Sequence, residues 1–575
     1  MRITWEVVVV VEKKTGARFL AETLKGYGVT HVFFIEAILR KTLVELETLG
    51  VRRILAHSEK AAAYMADGYA RVTKRPGICM AQSVGAANLA SGLQDPYLGS
   101  SPVIAFTGKK PPLWQNRNSY QEIDHAPLFA AVTKYNVTVD TAEQLPFYVR
   151  QAFREATTGR PRPVHLDISG GYTGGGVEST EGNFPVIVEE RFLRVPAFRP
   201  EAESEAIHQA VALLRNAERP VIVAGGGARS SGAGPEVAAL AEGLSIPVVT
   251  SLDGKDILAD NHPLKVGVVG SYSRWCANRL VSEADLVLYI GSGTGDQVTN
   301  DWTIPQMGTP VIQIDIDPSE LGRSYSNTVS LLGDAKATLR RMLALTGEKM
   351  MGEKRKNPAW TSRAQKLLSD WQEEMKPFFR SEAVPIRTER LCQEIGDAFP
   401  ADGILVSDTG FATIWTGAMV NLSRPGQSYV RAAGSLGWAF PAAIGAKCGA
   451  PDRPVVCFIG DGGFYYHLTE LETASRRGIN VVTVVNNNQY LRQCLDGINQ
   501  AYGDRPGNRD EQCKFSKTDF ARIAEDMGCV GIRVEQPDEI AGAFKRALSL
   551  DKPVVVDVVT DPACKPPGPW TPASR

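Results

Sequence analysis

The chain has 575 residues, a formal net charge of −1, and 43% hydrophobic and 22% charged residues, which suits a globular protein of about three or four domains. A net charge this close to zero argues against nucleic acid or a charged membrane surface as a partner. Nine cysteines are scattered without metal-binding or redox spacing, so we expect reduced thiols in a cytoplasmic protein.

The first element is a run of five valines at residues 7–11. It is too short to span a bilayer and no small-residue cleavage site follows it, so we predict an extension or an edge strand rather than a signal peptide. A helical pattern follows in ARFLAETLKGYGV. Four buried strands are then predicted in THVFFI, GICMAQS, SPVIAFTG and RPVHLDIS. The Gly- and Glu-rich stretch 171–200 is predicted to be a linker.

Two further blocks alternate strand and helix patterns in the same way. The second has strands in RPVIVAGGG, IPVVTS, ADLVLYIGSG and TPVIQIDID, and a charged helical linker follows it. The third has strands in GILVSDTG, RPVVCFIGDGG, INVVTVVNN and KPVVVDVVTD. This alternation predicts an α/β protein with three doubly wound parallel-sheet domains. We place the domains at residues 1–185, 200–346 and 384–575, with a linker at 347–383.

Polar side chains follow two strands of the third block. Asp461 lies in the Gly-Asp-Gly-Gly sequence at the end of one strand, and Asn488 follows the next strand 27 residues later. Both side chains should reach the carboxyl edge of one sheet, where α/β proteins bind ligands. Carboxylate and carboxamide oxygens suit Mg²⁺ or Ca²⁺. The flanking glycines (Gly460, Gly462 and Gly463) let backbone N–H groups approach an anion at a helix N-terminus, so the pattern predicts a diphosphate bound through a metal.

This spacing resembles the diphosphate-binding motif of thiamine-diphosphate (ThDP) enzymes. The resemblance implies that Asp461, Asn488 and the carbonyl of Tyr490 bind Mg²⁺. It extends over most of the chain and is closest to the acetohydroxyacid (acetolactate) synthase-like family. It names the three domains pyrimidine-binding, central and diphosphate-binding.

The family's other motifs occur in the expected order. Glu59, before ADGYAR, corresponds to the glutamate that protonates the cofactor's aminopyrimidine and so favours loss of the proton at C2. Leu436, in AAGSLGWAF, corresponds to the apolar wedge that bends the cofactor. The resemblance assigns further cofactor contacts to Gly85, Asp408, Thr409, Gly410, Phe411 and Gly434. Gln121, in SYQEID, is expected to reach the thiazolium and the substrate, which makes it a catalytic candidate beside Glu59.

Several segments depart from the pattern of the synthases. Glu36 lies where a Gly-x-Pro-Gly-Gly motif is usual, and QSVGAANL, with Gln82 and Ser83, replaces SGPGATN. Gly293 and Gln297 stand where arginines grip flavin, so FAD remains possible but is not expected. Gln493 and Gly497 replace a Met and a Trp of the substrate channel. GDGGFYYHLTE also resembles cyclohexane-1,2-dione hydrolase, in which His467 would be either a substrate ligand or a structural histidine.

The resemblance implies a ThDP- and Mg²⁺-dependent enzyme that makes or breaks a carbon–carbon bond in a 2-oxo acid or an α-dicarbonyl compound. The first interpretation is a decarboxylating carboligase. The alternatives are a cyclic 1,2-dione hydrolase, a 2-hydroxyacyl-CoA lyase or oxalyl-CoA decarboxylase-like enzyme, and a catalytically silent binding subunit. In this family, sites form between subunits, so we expect a homodimer or homotetramer.

Overall fold

A computed structural model describes residues 13–170, 175–349 and 357–572. The valine run at 7–11 lies outside the described residues. The chain divides into two compact units, the first ending at Ala197 and the second beginning at Phe198. None of the helices within the described residues combines the length and the apolar content that crossing a membrane requires.

The first unit is built on one six-stranded parallel sheet, in the order β3-β2-β4-β5-β7-β6, with a two-stranded pair of β1 and β8 beside it. Its strands are β1 (Lys14–Thr15), β2 (His31–Phe34), β3 (Arg52–Leu55), β4 (Gly77–Gln82), β5 (Val103–Lys109), β6 (Tyr135–Val139), β7 (Val164–Ser169) and β8 (Glu181–Gly182). Its helices are α1 (Gly16–Gly26), α2 (Arg40–Thr48), α3 (Glu59–Thr73), α4 (Gly85–Leu98), α5 (His125–Ala130) and α6 (Leu145–Thr157).

The second unit contains two more six-stranded parallel sheets. The central sheet has the order β11-β10-β9-β12-β13-β14. Its strands are β9 (Pro220–Ala224), β10 (Val248–Thr250), β11 (Lys265–Val268), β12 (Leu286–Ile290), β13 (Val311–Asp315) and β14 (Val329–Leu332). The helices around it are α7 (Ser204–Asn216), α8 (Gly226–Ser231), α9 (Gly234–Leu244), α10 (Trp275–Ser282), α11 (Asp296–Thr299) and α12 (Ala335–Lys349), and α13 (Pro358–Phe379) follows.

The third sheet has the order β16-β15-β17-β18-β20-β19. Its strands are β15 (Ile404–Ser407), β16 (Ser428–Arg431), β17 (Val455–Gly460), β18 (Val482–Asn487), β19 (Val530–Val534) and β20 (Val554–Val559). Its helices are α14 (Thr388–Ala398), α15 (Phe411–Ala418), α16 (Ala439–Gly449), α17 (Asp461–Phe464), α18 (Glu470–Arg477), α19 (Arg492–Tyr502), α20 (Phe520–Asp526) and α21 (Ile540–Ser549). The α/β class with three parallel-sheet domains is therefore confirmed.

The inner strands are buried on both faces, which explains why they are continuous apolar runs. In β5, β9 and β12 every residue is buried or nearly so, because helices cover both faces of each sheet. The chain order reverses between β2 and β4 in the first sheet and between β15 and β17 in the third. Ligands in such folds bind beyond the carboxyl ends of the strands at these reversal points.

Two segments that composition predicts to be linkers are packed instead. In the stretch 175–197, Phe184 and Phe192 are buried in the core of the first unit, so the linker prediction is wrong there. Helix α13 lies within the segment predicted as the second linker. It buries one face, with Trp360, Leu367 and Trp371, in a core shared with the central and third sheets. Its charged residues lie on the other face, and apolar residues at helical spacing explain the packing.

Candidate cofactor and metal site

Neighbouring strands of the third sheet bring three loops to one edge. Strand β17 lies between β15 and β18, and all three run parallel. Register pairs Gly460 with Asn486, so the two strands end at the same level. The first residues after β15, β17 and the turn-forming end of β18 are Asp408, Asp461, which begins α17, and Asn488.

The Asp461 carboxylate joins two of these loops. Asp461 is 2% exposed. One carboxylate oxygen accepts the N–H of Gly462 at 2.7 Å, and the other accepts the N–H of Gln489. Gln489 has a φ of +65°, a left-handed conformation that non-glycine residues rarely adopt and that clusters at functional sites. The structure thus places Asp461 against the turn that contains Asn488 and Tyr490.

The buried Asp461 carboxylate would be stabilised in its charged form by a nearby cation. Burial is the main cause that raises the pKa of Asp461, the N–H groups of Gly462 and Gln489 oppose the shift, and the charge of Asp557 adds to it, so that the pKa is raised to about 7 overall. A divalent cation beside the carboxylate would favour its ionised form. Within the described residues, no cluster of three or more His, Cys, Asp or Glu side chains could hold a metal. One carboxylate with neutral oxygen ligands suits Mg²⁺, which keeps positions for phosphate oxygens.

The neutral oxygens for such an ion lie in the turn after β18. The Asn488 side-chain oxygen accepts the N–H of Tyr490 at 3.1 Å, and Asn488 is 9% exposed. Tyr490 forms an antiparallel bridge with Lys514, in which Leu491 N–H donates to Cys513 and Gln489 accepts from Phe515. The bridge fixes the turn from both sides, so Asn488 and the Tyr490 carbonyl are presented by a rigid segment.

The glycines near the ends of β16 and β17 are required for two different reasons. A Cβ added at Gly434 or Gly460 would meet no atom within 4 Å, so space lies open beside both. A Cβ at Gly462 would lie 2.5 Å from a Leu491 methyl carbon, and one at Gly463 would lie 2.3 Å from a carboxylate oxygen of Asp408. The first pair leaves room where a cofactor would lie, and the second pair is required by packing.

Asp408 supports the neighbouring loop with its side chain. Its carboxylate accepts the N–H of Gly437 at 2.9 Å and the N–H of Ala439 at 3.3 Å. It therefore holds the segment that contains Gly434 and Leu436 against the end of β15. A carboxylate would repel a diphosphate, so contacts to that group fall to the following backbone. The sequence motif identified this position but not its supporting role.

The residues after Asp408 form the rest of this loop. Gly410 has a φ of +68°, which favours glycine, and Phe411 begins α15. A Cβ at Gly410 would lie 2.7 Å from the Gln493 side-chain oxygen. Thr409 is half-buried, and so is Leu436, the predicted wedge. These side chains are partly accessible beside the open space at Gly434, as a cofactor-binding loop requires.

In the first unit, Glu59 meets the loop after β4. Ser58 caps α3, so Glu59 occupies the first helical position. A Cβ at Gly85 would lie 2.4 Å from a Glu59 carboxylate oxygen, which means that only glycine permits this approach. The Asn88 side-chain N–H donates to the other oxygen at 3.3 Å. The sequence motif did not single out Asn88, although it lies in the QSVGAANL segment.

Gln121 lies against the same loop. Its φ is +61°, and its carbonyl accepts the hydroxyl of Ser83. Its side-chain oxygen is buried without a hydrogen-bond partner within the described residues, and the same holds for the side-chain oxygen of Gln82. The structure therefore brings Glu59, Ser83, Gly85 and Gln121 together. A buried acceptor without a partner needs a structural explanation, and a ligand that donates to both oxygens would supply one.

The remaining candidates lie in varied surroundings. Glu36 is exposed and forms a two-point ion pair with Arg40, which lowers the pKa of Glu36. His467 is buried at 5% exposure. The Gln493 side-chain N–H donates to the Tyr272 hydroxyl at 2.8 Å, so it connects α19 with the loop after β11. Gly497 is exposed on α19, a helix without buried residues.

Comparisons with known proteins match this architecture. Three family models match in order: the N-terminal TPP binding domain of thiamine pyrophosphate enzymes at 14–128, their central domain at 207–342 and their C-terminal TPP binding domain at 408–558. Thiamine pyrophosphate is another name for ThDP. The C-terminal match includes the three loops described above, and the N-terminal match includes Glu59 and Gln121.

Curated relatives match nearly the whole chain. A probable acetolactate synthase large subunit from Methanocaldococcus jannaschii is 34% identical, with 95% of this chain and 92% of the relative covered. An acetolactate synthase from Arthrospira platensis is 31% identical, covering 97% and 96%. The acetolactate synthase large subunit of Lactococcus lactis is 30% identical, covering 96% and 93%. The chain therefore belongs to the thiamine pyrophosphate enzymes, in their acetolactate synthase-like group, and is a ThDP-dependent enzyme.

Proposed function

We propose that the protein uses ThDP and Mg²⁺ to make or break a carbon–carbon bond in a 2-oxo acid or an α-dicarbonyl compound, as a decarboxylating carboligase. One observation carries the cofactor assignment. The buried Asp461 carboxylate accepts the N–H of Gly462 and the N–H of Gln489, beside open space at Gly460 and at the carboxyl edge of a parallel sheet. The names of the relatives support the acetolactate synthase-like direction.

Each residue has one task in this proposal. Asp461, Asn488 and the Tyr490 carbonyl would bind Mg²⁺, and the backbone around Gly410 and Gly462 would bind the diphosphate. Leu436 would support the bent cofactor. ThDP supplies a nucleophilic carbon and an electron sink when it is bound. Glu59 would hold a proton at the aminopyrimidine, and Gln121 would orient the substrate carbonyl with its side-chain amide.

The test is release of CO₂ from a panel of 2-oxo acids, beginning with pyruvate. Protein freed of metal and cofactor should release CO₂ only after both ThDP and Mg²⁺ are added. Chromatography of the products would show whether the acyl fragment is transferred to a second carbonyl compound or released as an aldehyde. Absence of CO₂ with every 2-oxo acid, with ThDP bound, would refute the decarboxylase assignment.

A cyclic 1,2-dione hydrolase is the second candidate. It is favoured by the polar pair of Gln493 and Tyr272, which lies over Gly410 where the synthases carry an apolar channel residue. Such a pair can hydrogen-bond to a hydroxyl or carbonyl group of a ring substrate. Cleavage of cyclohexane-1,2-dione to an open-chain acid, without release of CO₂, would favour this candidate.

We expect the purified protein to be colourless, without tightly bound flavin. Gly293 and Gln297 occupy positions where the synthases grip flavin with arginines. The Gln297 carbonyl accepts the N–H of Ser271, and a Cβ at Gly293 would lie 3.1 Å from the carboxylate of Glu320, which is 4% exposed. The Glu320 carboxylate also pairs with Arg323 at 2.8 Å. The side chain closest to Gly293 is therefore a carboxylate rather than the arginine that would grip a flavin diphosphate. A yellow preparation with a flavin absorption spectrum at one flavin per chain, released by denaturation, would contradict this expectation.

We propose that the active unit is at least a homodimer with sites shared between subunits. The cofactor needs Glu59 at its pyrimidine end and Asp461 at its diphosphate end, and these residues belong to different compact units. Beside Gln121, the first unit exposes Leu113 (82%), Trp114 (51%) and Tyr120 (74%). Apolar side chains exposed together mark an interaction surface, and a second copy of the chain would cover them.

Co-expression of two inactive variants tests the shared site. A Glu59→Gln chain and an Asp461→Ala chain should each be inactive alone but should restore part of the activity when they assemble together. In a two-fold dimer, one mixed site would carry both changes and the other neither. Differently tagged chains allow purification of the mixed species. Mixed dimers with no activity above the parents, or an active monomer in light scattering, would contradict the shared site.

A further inference from the structure

We propose that the buried pair of His125 and Asp167 positions the two predicted catalytic residues of the first unit, Glu59 and Gln121. This proposal rests on the proposed function, because Glu59 and Gln121 have catalytic roles only if that function is correct. Neither His125 nor Asp167 would touch substrate or cofactor. They would act through the loop that follows β4.

The pair fixes one backbone carbonyl of that loop. His125, the first residue of α5, is 1% exposed, and its Nδ1 lies 2.9 Å from an Asp167 carboxylate oxygen. Its Nε2 lies 2.9 Å from the carbonyl oxygen of Ser83. A carbonyl can only accept, so the Nε2–H donates to it. Asp167 thus holds one end of the imidazole ring while the other end holds Ser83.

The loop fixed in this way contacts both catalytic candidates. The Ser83 hydroxyl donates to the Gln121 carbonyl, so it supports Gln121 in its left-handed conformation. Two residues later, Gly85 lies directly against the Glu59 carboxylate, and Asn88 donates to that carboxylate. A shift of the Ser83 carbonyl would therefore move the surroundings of both side chains.

Asp167 is itself held by a row of buried groups across three strands. The Thr107 hydroxyl lies 2.8 Å from the Asp167 carboxylate and 2.6 Å from His165 Nε2. His165 Nδ1 lies 2.8 Å from the side-chain oxygen of Asn136 on β6, and Phe129 stacks on the His165 ring at 3.6 Å. This row leaves the carboxylate little freedom to turn, so it can define the orientation of the His125 ring.

The electrostatics agree with this role. Burial alone would raise the pKa of Asp167, but the hydrogen bond and the charge of His125, together with His165 and the Thr107 hydroxyl, outweigh burial and lower that pKa overall. Burial lowers the pKa of His165 to about 3, so His165 stays neutral. His125 is therefore the main partner of the Asp167 carboxylate. At metal sites, removing a residue that orients a ligand in this way lowers metal affinity or activity about 10- to 100-fold.

The experiment compares Asp167→Asn with a matched control, His31→Asn. Asparagine keeps the size of Asp167 but removes its charge. His31 is also buried in this unit, at 8% exposure, but it begins β2 at the opposite end of the sheet. The first readout is amide hydrogen exchange in cofactor-free protein, measured by mass spectrometry for peptides covering residues 83–88 and 119–125. The second is hydrogen–deuterium exchange at C2 of ThDP, together with kcat and KM for the accepted substrate.

In Asp167→Asn, we expect faster amide exchange in both peptides and an approximately 10-fold or greater slowing of C2 exchange. KM should rise as well, because Gln121 is displaced, while ThDP affinity stays unchanged. The control should leave both peptides and C2 exchange unchanged. If Asp167→Asn does not fold, His125→Gln is judged by the same criteria. It keeps an N–H donor near Ser83 but loses the fixed orientation.

Three results separate the positioning proposal from the proposed function. Unchanged amide exchange in both peptides, with C2 exchange and KM at the wild-type level, would overturn the positioning role while the proposed function stands. Equal effects of Asp167→Asn and His31→Asn would overturn it as well, because they would indicate general destabilisation. Absence of C2 exchange in wild-type protein supplied with ThDP and Mg²⁺ would refute the proposed function. Amide exchange in cofactor-free protein would then still decide the positioning role.

Discussion

Asp461→Ala should abolish retention of ThDP. The change removes the buried carboxylate of the proposed Mg²⁺ site, and without the metal the diphosphate loses its link to the protein. We expect the affinity for ThDP in the presence of Mg²⁺ to fall more than about 100-fold, which corresponds to about 2.7 kcal/mol. Calorimetric titration of ThDP into metal-free protein with added Mg²⁺ measures this loss.

The matched control for this variant is Asp526→Ala. Asp526 is an exposed aspartate at the end of α20 in the same domain, so its loss should leave ThDP binding unchanged. The Asp461→Ala protein should also keep its fold, because alanine avoids burying a carboxylate that has no cation beside it. Wild-type affinity for ThDP in the Asp461→Ala variant would show that the metal site lies elsewhere.

Glu59→Gln should still bind ThDP but should fail to activate it. The diphosphate end of the site is untouched, so affinity should change little. The amide cannot supply the proton, so we expect hydrogen–deuterium exchange at C2 to slow on the order of 10³-fold, within the range for general acid–base groups. Exchange is followed by NMR of ThDP after acid quench.

Glu47→Gln serves as the control, because Glu47 is an exposed glutamate of the first unit that pairs with Arg53. It should exchange at the wild-type rate. Should Glu59→Gln exchange as fast as the wild-type protein, Glu59 would not be the activating residue. Loss of ThDP binding in this variant would instead make Glu59 a structural residue of the site.

The strands that the sequence predicts are the inner strands of each sheet. All twelve inner strands correspond to the apolar runs identified in the three blocks. The six edge strands were not predicted: β3, β6, β11, β14, β16 and β19. An edge strand has a neighbour on one side alone and is often partly exposed, so it needs no continuous apolar run. β3, with the sequence RRIL, and β6, with YNVTV, illustrate this.

The parts of the candidate site that could be predicted are those whose position depends only on the number of residues between two motifs. The helix and strand between Asp461 and Asn488 have lengths that return the chain to the same sheet edge, so the two loops could be paired from sequence. Side-chain direction was not predictable. Asp408 follows its strand as Asp461 does, yet its carboxylate faces backbone N–H groups of residues 29 and 31 positions later.

The row of buried groups behind His125 was also beyond the sequence. Its members lie on β5, β6, β7 and α5, separated by up to 60 residues, and they meet because parallel register aligns Thr107 with Asp167 and Asn136 with His165. Taken singly, each of these residues is an ordinary buried polar residue and does not indicate a hydrogen-bond network. Only the pairing of strands shows that they form one continuous set of hydrogen bonds.

Calorimetric titration of ThDP into metal-free wild-type protein, with and without Mg²⁺, tests the central claim most directly. The account predicts tight binding of one ThDP per chain when Mg²⁺ is present. It predicts an affinity at least about 100-fold weaker when the metal is withheld, because the Asp461 carboxylate then faces the diphosphate without a cation between them. Equal affinity in both titrations, or no ThDP binding with Mg²⁺ present, would contradict the account.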